Sequence, residues 1–162
     1  MIESIQTVFT RPNLLFLVDG LMTSLLISLC VVILSILFGT LLGLVRNYEK
    51  KFFGKLASFY IELFRNTPLL LWMLGCAFLI PGSTILVKGS LALFLYTAAV
   101  VAEIVRGGLN SIPKGQFEAA HSQGFSFFQT LQYMILPQTF KKIIPSLLSQ
   151  VITTIKDPSF LA

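Results

Sequence analysis

The run GLMTSLLISLCVVILSILFGTLLGLV, residues 20–45, passes through 26 positions without a charged side chain. About 20 such residues suffice to carry a helix across the hydrocarbon core of a bilayer. This run therefore predicts a membrane-spanning helix and sets the solvent in which the rest of the chain is read. Gly39 and Gly43 near its end form a small-xxx-small pair, with Thr40 beside them. Such a pair either lets another helix approach closely or is ordinary membrane-helix glycine.

Further apolar runs follow at about residues 56–80, 88–105 and 143–155. The second contains Glu62, Arg65 and Pro68 and ends at Pro81-Gly82, and Glu103 lies inside the third. The fourth, with Pro145 near its start, has 13 residues between Lys142 and Lys156, few for a crossing unless neighbouring helices shield it. The spans expected are about 17–45, 56–80, 88–108 and 140–156, in an all-α polytopic bundle. Residues 1–13 carry Glu3 and Arg11 and precede the first long apolar run. They read as a short N-terminal segment, and the run after them as a retained anchor, too long for the core of a cleaved signal.

Composition agrees. The 162 residues are 55% hydrophobic and 12% charged, with a mean hydropathy of +0.84, whereas soluble domains carry roughly 25% charged residues. The net charge of +5 does not point to nucleic acid, because the basic residues punctuate apolar runs and form no face. The segment RNYEKKFFGK, residues 46–55, reads as a basic loop with Arg46, Lys50, Lys51 and Lys55, and the stretch 106–142 holds Arg106, Lys114, Lys141 and Lys142. The positive-inside rule puts both on the cytoplasmic side and the N-terminus outside. Cys30 and Cys76 lie in apolar stretches and read as buried free thiols, and His121 is the only histidine, so neither a metal site nor a catalytic cysteine is indicated. An enzyme embedded in the membrane lacks support, since there is no paired acidic motif, histidine cluster or nucleophile–base pair.

The informative polar stretch is SIPKGQFEAAHSQGFSFFQTLQYMILPQ, residues 111–138. Pro113 suits a first helical turn, with Ser111 as a cap nearby. Gly124 is a natural terminator in the left-handed conformation. Ser126 and Gln129 fit a capping box that opens a second helix, expected to be interrupted at Pro137. Phe117, Phe125, Phe127 and Phe128 give the pair apolar knobs. Such a pair either lies at the membrane interface or docks in a groove on a soluble partner.

The run Glu118-Ala119-Ala120, three residues, Gly124, nine residues, then Met134, Leu136 and Pro137 resembles the EAA loop of ABC-importer permeases, with Met134 in place of an isoleucine. YIELFRNTPLL (60–70), AEIVRGGLNSIPKGQFEAA (102–120) and KDPSFLA (156–162) look like the polar amino-acid branch of that family. Two departures stand out: the stretch between Pro81 and Glu103 looks a few residues short, and Pro158 stands where threonine is usual. The resemblance covers residues from about 15 to the end. It implies a MetI-like type I importer permease in the bacterial inner membrane, with residues 14–162 as the transmembrane domain and 111–138 as the EAA loop. It implies a translocation path for a polar amino acid, or for another small solute. The implied partners are ATP-binding subunits, a second permease copy or paralogue, and an extracytoplasmic solute-binding protein. ATP and magnesium belong to the partner; this chain has no phosphate-cradling glycine loop and is expected to bind no cofactor and catalyse no reaction. Glu118, Ala119, Ala120, Gly124, Met134, Leu136 and Pro137 are the implied coupling residues. Related chains continue with a final helix, so the chain is expected to be C-terminally truncated; an inactive remnant is the alternative reading.

Glu62 with Arg65, and Glu103 with Arg106, are each three residues apart and so share a helix face. Ionisable groups in a span pair or face a cavity. These four are expected either to pair internally or to shape the solute path, where an acid would suit an α-ammonium group.

Overall fold

In the computed structural model, residues 10–49 and 51–158 are described, and every element among them is helical. Residues 1–9, Lys50 and residues 159–162, which include most of the N-terminal segment and the end of the KDPSFLA stretch, lie outside the described residues. The helices are α1 (Arg11–Tyr48), α2 (Phe52–Arg65), α3 (Leu69–Leu79), α4 (Ile85–Asn110), α5 (Lys114–Ser122), the single turn α6 (Phe127–Gln129), a π-helical segment Thr130–Ile135, and α7 (Leu136–Lys156).

Two of them, α1 with 38 residues and α4 with 26, are long and apolar enough to cross a membrane. The first spans roughly 57 Å at 1.5 Å per residue, well beyond the hydrocarbon core of about 30 Å. Helix α4 is the central post, packed against α1, α2, α3 and α7. Its face against α1 is built from small residues. A side chain on Gly39 would place its Cβ 2.6 Å from the Ala98 carbonyl oxygen, and one on Gly43 would lie 2.6 Å from that of Ala102. The small-xxx-small pair thus serves close approach. In lipid no hydrophobic force drives helices together, so contact of this kind and interhelical hydrogen bonds must do it. The Ser35 hydroxyl adds one such bond, donating to the Phe94 carbonyl at 3.2 Å.

The apolar run 56–80 is not one helix. It breaks at residues 66–68, between α2 and α3. Pro68 has no N–H to donate and disfavours the helical conformation at Thr67, and Thr67 turns its hydroxyl back to the Leu63 carbonyl at 3.0 Å. The two halves are fastened across the break by Phe64 stacked on Trp72, ring centroids 4.1 Å apart. Helix α3, with 11 residues, is about 16 Å long.

Two further expectations are corrected. Residues 46–55 are not a loop: Arg46 and Tyr48 complete the last turn of α1, and α2 begins at Phe52. Pro137 does not interrupt its helix. The chain widens over Thr130–Ile135, where the Leu136 N–H reaches back five residues to the Leu131 carbonyl, and Pro137 falls in the first turn of α7, where its missing N–H costs little. The short fourth run is thereby part of a 21-residue helix.

Candidate functional site

Below the bundle, α5 and α6 form a compact two-helix unit. Pro113, not Ser111, is the N-cap of α5, with φ −60° and ψ 140°. Ser111 belongs to the end of α4, its hydroxyl donating to the Gly108 carbonyl at 2.7 Å. Helix α5 closes with Gly124 at φ +81°. The Gly124 N–H reaches the His121 carbonyl at 2.9 Å and the Phe125 N–H the Ala120 carbonyl at 3.1 Å, the bond pair of a Schellman closure. Two residues later Ser126 opens α6 with the capping box read from sequence: its own N–H donates to Gln129 Oε1 at 2.9 Å, and the Gln129 N–H reaches the Ser126 Oγ at 3.4 Å.

The motif residues divide between two faces. Ala120 is fully buried, and Met134 and Leu136 are partly buried against the core of Val105, Leu109, Ile112, Ile135 and Ile143. Glu118, Ala119, Gly124 and Pro137 are exposed, as is His121. Inward residues position the unit and outward ones are free to meet a partner. Of the expected aromatic knobs, Phe127 and Phe128 project outward, whereas Phe117 packs on the core. The unit is tied to the bundle by Gln138 Nε2 donating to Gln116 Oε1 at 3.0 Å, Lys142 Nζ donating to the Ser111 carbonyl at 2.8 Å, and an edge contact between the Tyr48 and Phe127 rings at 5.2 Å.

Above it, five charged side chains from three helices meet. Glu103 accepts from Arg106 Nε and Nη2, at 3.0 and 2.5 Å, and from Arg46 Nη1 at 3.0 Å. Arg46 Nη2 donates to Glu62 at 2.6 Å, and Arg65 lies 3.7 Å from Glu103. The expected pairing of Glu103 with Arg106 is present. Glu62 pairs with Arg46 of α1, and Arg65 turns to Glu103 of α4. Sequence reasoning missed Arg46, whose only signal was that it directly follows the charge-free run. The cluster pins α1, α2 and α4 to one another.

A separate cavity of about 240 Å³ opens where α3 begins, lined by Leu69, Leu70, Tyr96, Thr153 and Asp157. Its one carboxylate has no ion-pair partner among the described residues. Tyr96 and Asp157 carried no spacing signal, because α3, α4 and α7 bring them together only in the fold.

Residues 35–162 match the family described as the binding-protein-dependent transport system inner membrane component. A Bacillus subtilis relative named as a glutamine ABC transporter permease protein is 36% identical over 155 residues, covering 93% of this chain and 71% of the relative. A glutamate/aspartate import permease protein of Escherichia coli is 32% identical over 162 residues, covering 93% and 72%. Among solved structures, an amino acid ABC transporter with histidines is similar at TM-score 0.80 and 32% identity, over 89% of this chain and 69% of that one. The MetNI methionine ABC transporter in an inward-facing form superposes at TM-score 0.81 over 93% and 74%, with 20% identity, a likeness of fold alone.

Proposed function

Because this chain belongs to the family of binding-protein-dependent transport system inner membrane components, we propose that it forms the translocation path for a polar amino acid and couples that path to ATP hydrolysis on a partner through α5 and α6. As a permease of this family it is a multi-pass membrane subunit of an ABC importer and not itself an enzyme. Membership implies an ATP-binding subunit and a solute-binding protein beside it. The finer reading adds a second permease copy or paralogue, ATP and magnesium held entirely by the ATP-binding partner, and an orientation with the N-terminus outside and the EAA segment 111–138 in the cytoplasm. Residues 14–162 belong to the transmembrane permease domain.

The observation that carries this reading is the exposed edge of the helix pair. Glu118, Ala119 and Gly124 face outward from a unit whose inner residues, Ala120, Met134 and Leu136, are held by the bundle core. A seated knob of this kind transmits a push from a groove on a soluble partner to the helices behind it. The relatives' names support an amino acid as the solute. Glu62 and Glu103 are already matched by guanidinium groups, so they suit a structural clamp better than a solute ligand. The Asp157 cavity, with the Tyr96 and Thr153 hydroxyls, is the better place for an α-ammonium group.

The test is reconstitution with the ATP-binding and solute-binding partners in liposomes. Glu118→Arg and Gly124→Val are expected to insert normally, while stimulation of ATP hydrolysis by the loaded binding protein falls at least about fivefold, the lower end of an ordinary coupling free energy. Full stimulation in both variants removes the coupling role.

A further inference from the structure

Helix α7 crosses the central post at one close point. A Cβ on Gly108 of α4 would collide with the Cγ2 methyl of Ile143 and lie 3.0 Å from that of Thr139. Thr139 adds no polar fastening there, since its buried hydroxyl has no hydrogen-bond partner. Apolar contact at a glycine lets one helix tilt on another, where an interhelical hydrogen bond would pin it. Two residues past Ile143, Pro145 removes a backbone donor from the helix interior and softens α7 at the same place.

On the two sides of this crossing α7 meets different parts. Toward its start, Gln138 Nε2 donates to Gln116 Oε1 of α5 at 3.0 Å, and both side chains are half-buried. This bond joins the two helices directly, whereas the chain between them runs through residues 123–135, with a single-turn helix and the widened turn. Toward its end, Thr153 and Asp157 line the cavity they share with Tyr96 of α4. Asp157 stands about 14 residues beyond Ile143, roughly 21 Å at 1.5 Å per residue. The polar side chains of that arm bond within it. The Ser149 and Thr153 hydroxyls donate to the Pro145 and Ser149 carbonyls at 3.1 and 3.0 Å, and Gln150 Nε2 donates to Thr154 Oγ1 at 3.3 Å. Helices α1, α2 and α4, by contrast, are locked together by Arg46, Glu62 and Glu103. The bundle thus holds a fixed frame and one arm that reaches from the helix pair to the cavity.

We propose that Gln116 and Gln138 are positioning residues of transport: their bond hands a displacement of α5 to the short arm of α7, which tilts over Gly108 and moves Thr153 and Asp157 at the cavity. A tilt of about 10° carries Asp157 about 4 Å on an arm of this length, enough to reshape a space of about 240 Å³. This role rests on the reading of α5 as the coupling helix. A route through packed elements counts as coupling only when a change at one end is read at the other.

The test uses the assembled importer in nanodiscs, open to reagent on both faces, without Cys30 and Cys76 and with Thr153→Cys as reporter. The rate at which a hydrophilic methanethiosulfonate modifies that cysteine is measured without nucleotide and with ATP trapped by vanadate. The two rates are expected to differ at least about fivefold in this parent, and less than about twofold in Gln138→Leu and Gln116→Leu. The double variant Gln116→Glu/Gln138→Lys puts an ion pair where the amide bond was and is expected to keep the difference. Gln116→Lys/Gln138→Lys sets like charges there and is expected to abolish it. A merely structural bond would change the yield of assembled complex and leave the ratio of rates alone. An undiminished difference in the leucine variants, or the same ratio in the two charged pairs, overturns the link. If the leucine variants do not assemble, the charged pairs decide. Equal rates in a parent whose ATP hydrolysis is stimulated by the loaded binding protein overturn the tilt of α7. Glu118→Arg is read beside them. Full stimulation in that variant discards the coupling reading, whereas lost stimulation there with an undiminished difference in Gln138→Leu discards the link alone.

Discussion

Glu103 carries the heaviest electrostatic duty of any side chain described. Its carboxylate oxygens serve Arg46 and Arg106, with Arg65 at the edge of reach, and it is 21% exposed, whereas Glu62 serves Arg46 alone and is 60% exposed. Removing the more enclosed acid strands several guanidinium groups; removing the other removes a water-screened pair. Glu103→Gln is therefore expected to cost roughly 1.5–3 kcal/mol, the value of hydrogen bonds to a charged partner, and Glu62→Gln less than about 1 kcal/mol. Thermal denaturation of the detergent-solubilised chain checks the order, and a larger loss in Glu62→Gln contradicts the assignment of roles. At this scale the sequence was readable wherever the determinant is local. The left-handed Gly124 and the Ser126–Gln129 box are fixed by neighbours within five residues. The partners of Glu62 and Arg65 were not, because the helical spacing names only residues on the same helix, and the arginine that competes for Glu62 comes from α1.

The elements show the same division. Helices α1 and α4 follow from long charge-free or nearly charge-free runs. The break at residues 66–68 was signalled by Pro68, yet hydropathy averaged across it, so 56–80 read as one span. At Pro137 the expected interruption did not occur, since a widened turn upstream takes up the missing donor, and no residue pattern announces such a turn. The helix pair below the bundle depends on its caps more than the long helices do, because α5 has nine residues and such short helices are marginal by themselves. Ser126→Ala is expected to cost about 1 kcal/mol, the usual value of an N-cap side chain. Amide hydrogen exchange checks it: protection should fall at residues 127–131 and remain unchanged in α4. A uniform loss along the chain would mean that the cap supports the whole fold instead of the helix pair.

For the molecule as a whole, orientation is the property most exposed to test. Eight of the twelve Lys and Arg residues lie within 46–55 and 106–142, and the fold gathers the end of α1, the start of α2 and the unit of α5 and α6 toward one end of α4. With one end rich in cations, that end is expected to face the cytoplasm. In a variant without Cys30 and Cys76, single cysteines at Lys55 and Gly115 should resist an impermeant thiol reagent applied to intact cells and react after permeabilisation; ready labelling of both from outside reverses the assignment. The widened turn at Thr130–Ile135 has a consequence for the same two halves of the molecule. A π turn holds one residue more than an α turn, so it acts as a phase shifter between the coupling unit and α7. Deleting a single residue there would let the chain close into ordinary helix and rotate everything before it by about 100° relative to everything after. Phe117, which packs on the core cluster containing Ile143, would then no longer meet it, and the outward edge of α5 would be aimed elsewhere. The turn thus sets the azimuth of the outward edge of α5, the face proposed to couple, through the chain length of these six residues.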